Sequence, residues 1–306
     1  MGVIEARGLT KRFGTRTAVD GLDLDVAAGS ITGFLGLNGA GKTTTIRMLV
    51  GLVAPTSGEA RVCGVSVRER RHGTSPFGAI VETPAFYGEL SARDNLRVLA
   101  LTDGRSRTEP ELAALLARVG LAGREKDPVR GFSMGMRQRL GVAAALLGDP
   151  KVLFLDEPTN GLDPQGQLEM RQLLASLPAE GRTVFVSSHL LRDVELTCTD
   201  LVIIHQGKKL VQGKTSELLA HASVVRLRLD DCAKGLGVLQ RERPALECVA
   251  KDGRLEVKAT SAEAADPLAA DLVRVLVNGG LAVHEVQHAR DGLEQYFLEL
   301  TKGEPS

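Results

Sequence analysis

The stretch that decides the fold is Gly36-Leu37-Asn38-Gly39-Ala40-Gly41-Lys42-Thr43. It fits the pattern G-x-x-x-x-G-K-[ST], and its surroundings strengthen the match. Residues 31–35, ITGFL, form a short apolar run suited to a buried strand, and residues 44–49 continue as a helix. Strand, glycine-rich turn and helix together make an anion cradle. The glycines let the backbone curl so that its N–H groups point inward, and the helix start adds the positive end of its dipole. Lys42 can neutralise the β- and γ-phosphates of a nucleoside triphosphate, and the Thr43 hydroxyl can ligate Mg²⁺. Leu37, Asn38, Gly39, Ala40, Gly41 and Thr44 complete this candidate binding set.

A second element supports the first. In VLFLDEP, residues 152–158, four apolar residues form a strand that delivers Asp156 and Glu157 at its carboxyl end. Ligands bind at that end of an open α/β sheet. Asp156 suits the Mg²⁺ shell. Glu157, one residue on, can face an attacking water as general base. Cradle and carboxylate pair point to nucleoside-triphosphate hydrolysis, with Lys42 and Glu157 as catalytic candidates. They do not say what the hydrolysis drives.

Outward from these motifs, residues 183–186 and 201–204 read as further buried strands, and helical periodicity separates most of the runs. This alternation predicts a largely parallel sheet with helices on its faces. Between residues 89 and 149 no strand is evident. Leu112, Leu115, Leu116 and Val119 follow i, i+3, i+4, i+7, so a helical insertion in the α/β core is expected there. After about Gly213 the character changes. Residues 224–229 alternate as VVRLRL and residues 254–260 as RLEVKAT. A helix is expected over 265–277, a strand over 281–286 and a closing helix bearing Leu293, Tyr296, Phe297 and Leu300 on one face. The division expected is therefore 1–213 for the nucleotide-binding domain and 214–306 for a small α+β domain without a nucleophile or metal spacing.

The totals limit the alternatives. The chain has 306 residues and a formal net charge of +0. That argues against nucleic-acid binding through a broad basic field, because phosphate neutralisation dominates such binding. Arg68, Arg70, Arg71 and His72 are interrupted by Glu69 and read as a solvated turn. Cys63, Cys198, Cys232 and Cys248 are scattered, which suggests neither a disulfide framework nor a zinc site. No apolar run approaches the roughly 18 residues needed to cross a bilayer. The N-terminus lacks the apolar core of a signal peptide. A soluble chain is expected, with room for a membrane partner.

The class narrows at FSMGMRQRL, residues 132–140. Ser133 suits a helix N-cap, and free N–H groups nearby suit an anion. An ordinary capped helix satisfies the same residues. Here, however, the sequence resembles the signature motif of ATP-binding-cassette (ABC) ATPases, with Phe132 and Met134 for the commoner Leu and Gly, and Met136 for Gln. The form is similar to cassettes of the ABC-2 exporter type, and bacitracin- and lantibiotic-type export cassettes resemble the chain at Glu82 and its Pro-x-Phe-Tyr continuation. The other elements follow in the family's order across residues 4 to about 213. Phe13 lies where an adenine-stacking aromatic is expected. Thr159-Asn160-Gly161-Leu162-Asp163 matches the D-loop, with Asp163 the expected contact between subunits. His189, after VFVSS, matches the switch histidine. The resemblance implies a P-loop cassette that binds ATP and Mg²⁺ and works as a homodimer. Ser133 and Gly135 of one copy would then contact the γ-phosphate on the other. It also implies a separate membrane permease, and hence a place on the cytoplasmic face of the membrane. The alternative readings are a soluble cassette acting on ribosomes or DNA, a P-loop kinase or GTPase, and a non-hydrolysing regulatory subunit.

One position departs from the family. IVETPAFYGEL, residues 80–90, carries Glu82 where glutamine is usual. The resemblance makes this a hinge tip whose side-chain oxygen approaches Mg²⁺, with Pro84 to Leu90 touching the permease. Glu82, Asp156 and Glu157 would then crowd three carboxylates near one cation. The charge of the cation makes that tolerable. Glu157 is assigned as the base because it directly follows the Mg²⁺ aspartate at a rigid strand end.

Overall fold

The computed structural model describes residues 2–69, 76–102, 104, 106–221, 223–251, 253–258, 265–290, 296, 297 and 300. Arg70, Arg71 and His72 of the expected solvated turn lie outside that set, as do most residues of the expected closing helix. The chain divides into two compact units, Met1–Gln212 and Gly213–Ser306.

The first unit is built on two sheets. Strands β3 (Ile31–Leu35), β6 (Phe77–Ile80), β7 (Val152–Asp156), β8 (Thr183–Ser188), β9 (Asp200–His205) and β10 (Lys208–Lys214) form a six-stranded sheet in the order β10-β9-β3-β8-β7-β6. The pairs β3–β8, β3–β9, β6–β7 and β7–β8 are parallel. β3, β7 and β8 are buried along their whole length. Strands covered on both faces carry continuous apolar runs rather than alternation, which is the pattern of ITGFL and VLFLD. Phe34, Phe185, Phe154 and Phe77 form a row across four strands, with successive ring centroids 5.1, 5.7 and 5.4 Å apart.

The second sheet runs β2 (Arg16–Val26), β1 (Ile4–Phe13), β4 (Ser57–Val62), β5 (Val65–Ser66), all antiparallel. Residues of both sheets and of helix α1 (Lys42–Leu49), notably Ile46, Met48 and Leu49, share one apolar core. This core fixes the orientation of α1, and so aims its start at the carboxyl ends of the parallel strands.

Between β6 and β7 come α2 (Ala92–Thr102), α3 (Glu109–Arg118) and α4 (Met134–Leu146). Among the described residues of this stretch the only strand-like pairing is the isolated bridge Ser91–Pro128. Leu112, Leu116 and Val119 are buried, as their spacing requires. α4 lies very close to the sheet: a Cβ on Gly78 would sit 1.9 Å from the Ala145 carbonyl oxygen. Helices α5 (Pro164–Ser176) and α6 (Leu191–Thr197) follow β7 and β8. Asp163 caps α5, accepting the Gly166 N–H at 3.0 Å.

The second unit opens with α7 (Thr215–His221) and continues as β11 (Ser223–Leu229), α8 (Cys232–Glu242), β12 (Cys248–Lys251), β13 (Arg254–Lys258), α9 (Ala265–Asn278) and β14 (Val283–Arg290). Its sheet order is β12-β13-β11-β14, antiparallel throughout. A βαββαβ chain with that order is the ferredoxin-like split-βαβ arrangement. Val225, Leu227, Leu255 and Val257 meet Leu239, Leu272 and Leu276 in its own core. Tyr296 and Phe297 are helical, and Phe297 is buried.

Candidate functional site

The parallel strands bring their carboxyl ends to one edge. β3 leads into the loop 36–41, β7 ends on Asp156, β8 on Ser188 just before His189, and β6 on Ile80 just before Glu82. Residues scattered over 150 positions therefore converge because the strands are parallel, not because they are close in sequence.

The loop needs its glycines at two places. Gly41, the residue before α1, has φ +105, and a Cβ there would lie 2.5 Å from the Ala18 carbonyl oxygen. Gly36 has an ordinary φ, but its Cβ would come 2.7 Å from the Ile204 carbonyl oxygen. Beside the loop opens a cavity of about 630 Å³, lined by Phe13, Arg16, Ala18, Asn38, Gly39, Gly41, Lys42, Thr43, Thr44, Glu157, Asn160 and His189. Phe13 sits at the end of the β1–β2 hairpin, opposite Arg16, and is 51 % exposed. Lys11 Nζ lies over the ring, 5.0 Å from its centre, which leaves the opposite face to a planar ring.

Lys42 is only 6 % exposed, and a buried ammonium must be paired and hydrogen-bonded. Its Nζ donates to the Gly36 carbonyl at 2.7 Å and lies 3.2 Å from Glu157 Oε1. The other Glu157 oxygen, Oε2, is 2.7 Å from His189 Nδ1. One carboxylate therefore spans from the phosphate-loop lysine to the histidine after β8. Glu157 holds this position with φ +50, a left-handed conformation uncommon for a side chain of its size. The Glu157 N–H donates to Ser187 Oγ at 3.0 Å, and the Ser187 hydroxyl donates to Asp156 Oδ1. Ser187 thus locks two consecutive carboxylate residues with one hydroxyl. Asp156 itself is buried.

Several expected residues stand elsewhere. Leu37 is exposed and Ala40 buried, and neither lines the cavity. Ser133, Gly135 and Asp163 do not line it either. Ser133 caps α4, accepting the Met136 N–H at 3.2 Å. Glu82 does not gather with Asp156 and Glu157, an approach expected only around Mg²⁺. Among the described residues no three His, Cys, Asp or Glu side chains gather as a metal cluster. The Glu82 carboxylate pairs instead with the guanidinium of Arg47, in the last turn of α1, and its side chain is 64 % exposed. The physical reason is the nearer positive charge of Arg47, met by an exposed side chain whose backbone sits at φ +68.

Arg16, Ala18 and Ser187 complete the site without having been singled out from sequence, and Asn160, expected there only as part of the D-loop, lines the cavity. Ser187 carried a usable signal, because it is a hydroxyl ending an apolar strand directly before His189. Arg16 carried none, since its place is set by the hairpin that faces it to Phe13.

A second groove, of about 420 Å³, is lined by residues of the loop after β6 (Thr83, Pro84, Ala85, Phe86 and Gly88) and by Val129, Arg130, Met134, Arg137 and Gln138. Pro84 seats against α4, where a Cβ on Gly141 would lie 2.6 Å from Pro84 Cγ.

Comparison with known proteins agrees with this geometry. Residues 19–160 match the family model described as ABC transporter. The chain is 39 % identical over 305 residues to the bacitracin transport ATP-binding protein of Bacillus licheniformis, covering 98 % of each chain. It is 40 % identical over 211 residues to a lantibiotic transport ATP-binding protein of Streptococcus pyogenes, covering 69 % of this chain and 90 % of that one. The solved structure of an ATP-binding subunit of an ABC transporter superposes with a TM-score of 0.61 at 30 % identity, covering 71 % of this chain and 91 % of that one. Identity sustained over both whole chains, on a fold that joins phosphate loop, carboxylate and histidine in one cavity, shows that the chain belongs to the ABC transporter family as an ATP-binding, ATP-hydrolysing subunit.

Proposed function

We propose that this chain is the motor subunit of an exporter, closing on ATP as a head-to-tail homodimer and driving a separate integral-membrane permease from the cytoplasmic face. The observation that carries the catalytic part is the Lys42–Glu157–His189 chain across the cavity. Lys42 meets the phosphates, and Phe13 stacks on the base. Glu157 takes a proton from the attacking water while its oxygen bonds to the γ-phosphorus and the β–γ bridging P–O bond breaks. His189 holds the Glu157 carboxylate in place. General-base assistance of this kind is worth about 10² to 10⁴ in rate.

The donor set fits Mg²⁺. The Thr43 hydroxyl and the buried Asp156 carboxylate are hard oxygen ligands, and Ser187 pins the latter. When bound, the ion would neutralise charge developing on the phosphates.

Ser133 and Gly135, outside their own cavity, are assigned to the γ-phosphate of the second copy, with Asp163 at the subunit contact. A solved cassette 21 % identical to this chain is described as a dimeric post-hydrolysis state bound to ADP and Pi. No helix among the described residues is long and apolar enough to cross a membrane, in keeping with a separate permease docked around residues 84–90. The relatives named for bacitracin and lantibiotic transport make a peptide antibiotic the favoured cargo.

The test compares ATP turnover of the purified chain with Glu157→Gln, then repeats both with co-expressed permease. The variant should bind ATP, turn over slowly and accumulate as closed dimer. Near-normal turnover by the variant would remove Glu157 from the role of base.

A further inference from the structure

Met134 stands between the two cavities. On one flank it lines the 420 Å³ groove with Pro84 and Phe86. On the other, its Cε and Sδ lie 2.9 and 3.0 Å from where a Cβ on Gly161 would be. The thioether therefore fills the side-chain space of Gly161, in the loop between β7 and α5. The next residue repeats the contact: the Cβ position of Gly135 is 3.9 Å from Leu162 Cδ2. One step back along that loop, Asn160 lines the phosphate cavity and donates its N–H to the Glu157 carbonyl at 3.1 Å.

The groove wall, Met134, the loop 159–163 and the base Glu157 are thus in unbroken succession. Met134 is 43 % exposed, so only part of its side chain is packed. An unbranched thioether can follow a moving backbone without losing contact. At the floor of the groove, Gln138 is 6 % exposed, and its Oε1 accepts no hydrogen bond among the described residues. A buried acceptor without a donor is costly, so a donor entering this groove would be favoured.

We propose that Met134 is a positioning residue that couples the groove at Pro84–Phe86 to the phosphate cavity through Gly161. This rests on the reading of the chain as an ATP-hydrolysing subunit engaged by a partner at that groove. Nucleotide in the cavity shifts the loop 159–163, and Met134 carries the shift to the groove wall. By linkage, an occupant of the groove biases the loop in return.

The chain contains no tryptophan, so a single introduced indole is spectroscopically unique. Ala85→Trp places one on the groove wall. Thr83→Trp, on the same wall, serves as an independent second probe. The measurement is indole emission of the full chain titrated with ATP and magnesium. Emission should shift on ATP binding. Adding Met134→Gly should shrink that shift about five-fold at unchanged ATP affinity, and Met134→Leu in its place should restore it. The same shift with glycine as with methionine at this position overturns the proposal. So does the lack of any shift from either probe when the unsubstituted chain hydrolyses ATP. If the unsubstituted chain neither binds nor hydrolyses ATP, the reading on which the proposal rests falls with it.

Discussion

His189 Nδ1 lies 2.7 Å from Glu157 Oε2. An ionised carboxylate only accepts hydrogen bonds, so Nδ1 is the donor and the tautomer of His189 is set by Glu157. The contact also fixes the rotamer of Glu157, the proposed base. His189→Ala should therefore lower ATP turnover by about 10²-fold, the low end of what a positioned base contributes. ATP affinity should stay near wild type, since Lys42 and the loop are untouched. Equilibrium binding and steady-state turnover on the same preparation separate the two effects, and a loss confined to affinity would contradict this role.

Gly41 is the loop position least able to change. Its φ of +105 strains any other residue, and a methyl would approach the Ala18 carbonyl to 2.5 Å. Gly41→Ala should destabilise the first unit by at least about 1–3 kcal/mol from backbone strain alone and abolish ATP binding. A denaturant midpoint equal to wild type would show that the hairpin at Ala18 yields.

The Glu82–Arg47 pair is exposed, with side chains 64 % and 36 % accessible. Such pairs contribute at most about 1 kcal/mol. Glu82→Gln should leave the melting temperature unchanged and turnover of the isolated chain within a few-fold, while altering stimulation by the proposed permease. A loss of turnover comparable with that of Glu157→Gln would make Glu82 the base instead.

In the second unit, Arg243 grips Asp271 through two hydrogen bonds of 2.8 and 3.0 Å, and Arg274 adds a third. These bonds, first that of Arg243 and then that of Arg274, hold the Asp271 carboxyl below its ordinary value, against a small opposing effect of burial. A carboxylate depressed in the folded state stabilises above its unfolded pKa, and that stability is lost as pH falls through the folded value. Asp271→Asn should therefore lower the melting temperature of this unit at pH 7, and the difference should vanish on acidification below the ordinary carboxylate range. A difference independent of pH would point to packing rather than charge.

Cys198 is buried against Gly33, and its thiol is pushed up to about 12 by burial, with the charges of Asp193 and Asp200 adding to it. It should resist alkylation by iodoacetamide at pH 8 in the native chain and react fully once unfolded. Mass spectrometry of the labelled peptides checks this.

How much of this was legible in sequence depended on the environment of each segment. The parallel strands at 31–35, 152–156, 183–188 and 200–205 declare themselves as apolar runs because both faces are covered. The first sheet does not. β1 and β2 pair with register shifts at Ala6/Leu9, Leu9/Lys11 and Lys11/Arg12, which break the alternation a pattern search needs. Lys42, Asp156, Glu157 and His189 could be named because each follows a recognisable strand. The partner of Glu82 could not, since Arg47 lies 35 residues away and is brought near only by the packing of α1. The contact of Met134 with Gly161 was hidden likewise, because it joins the first residue of α4 to a loop related to it only through the fold.

The ferredoxin-like unit has one further consequence. Its first and last strands are neighbours, and Ser223 at the start of β11 pairs with Arg290 at the end of β14. The pairing of β11 with β14 thus joins segments far apart in sequence, a non-local contact whose loop-closure cost makes this sheet slow to complete relative to its own helices.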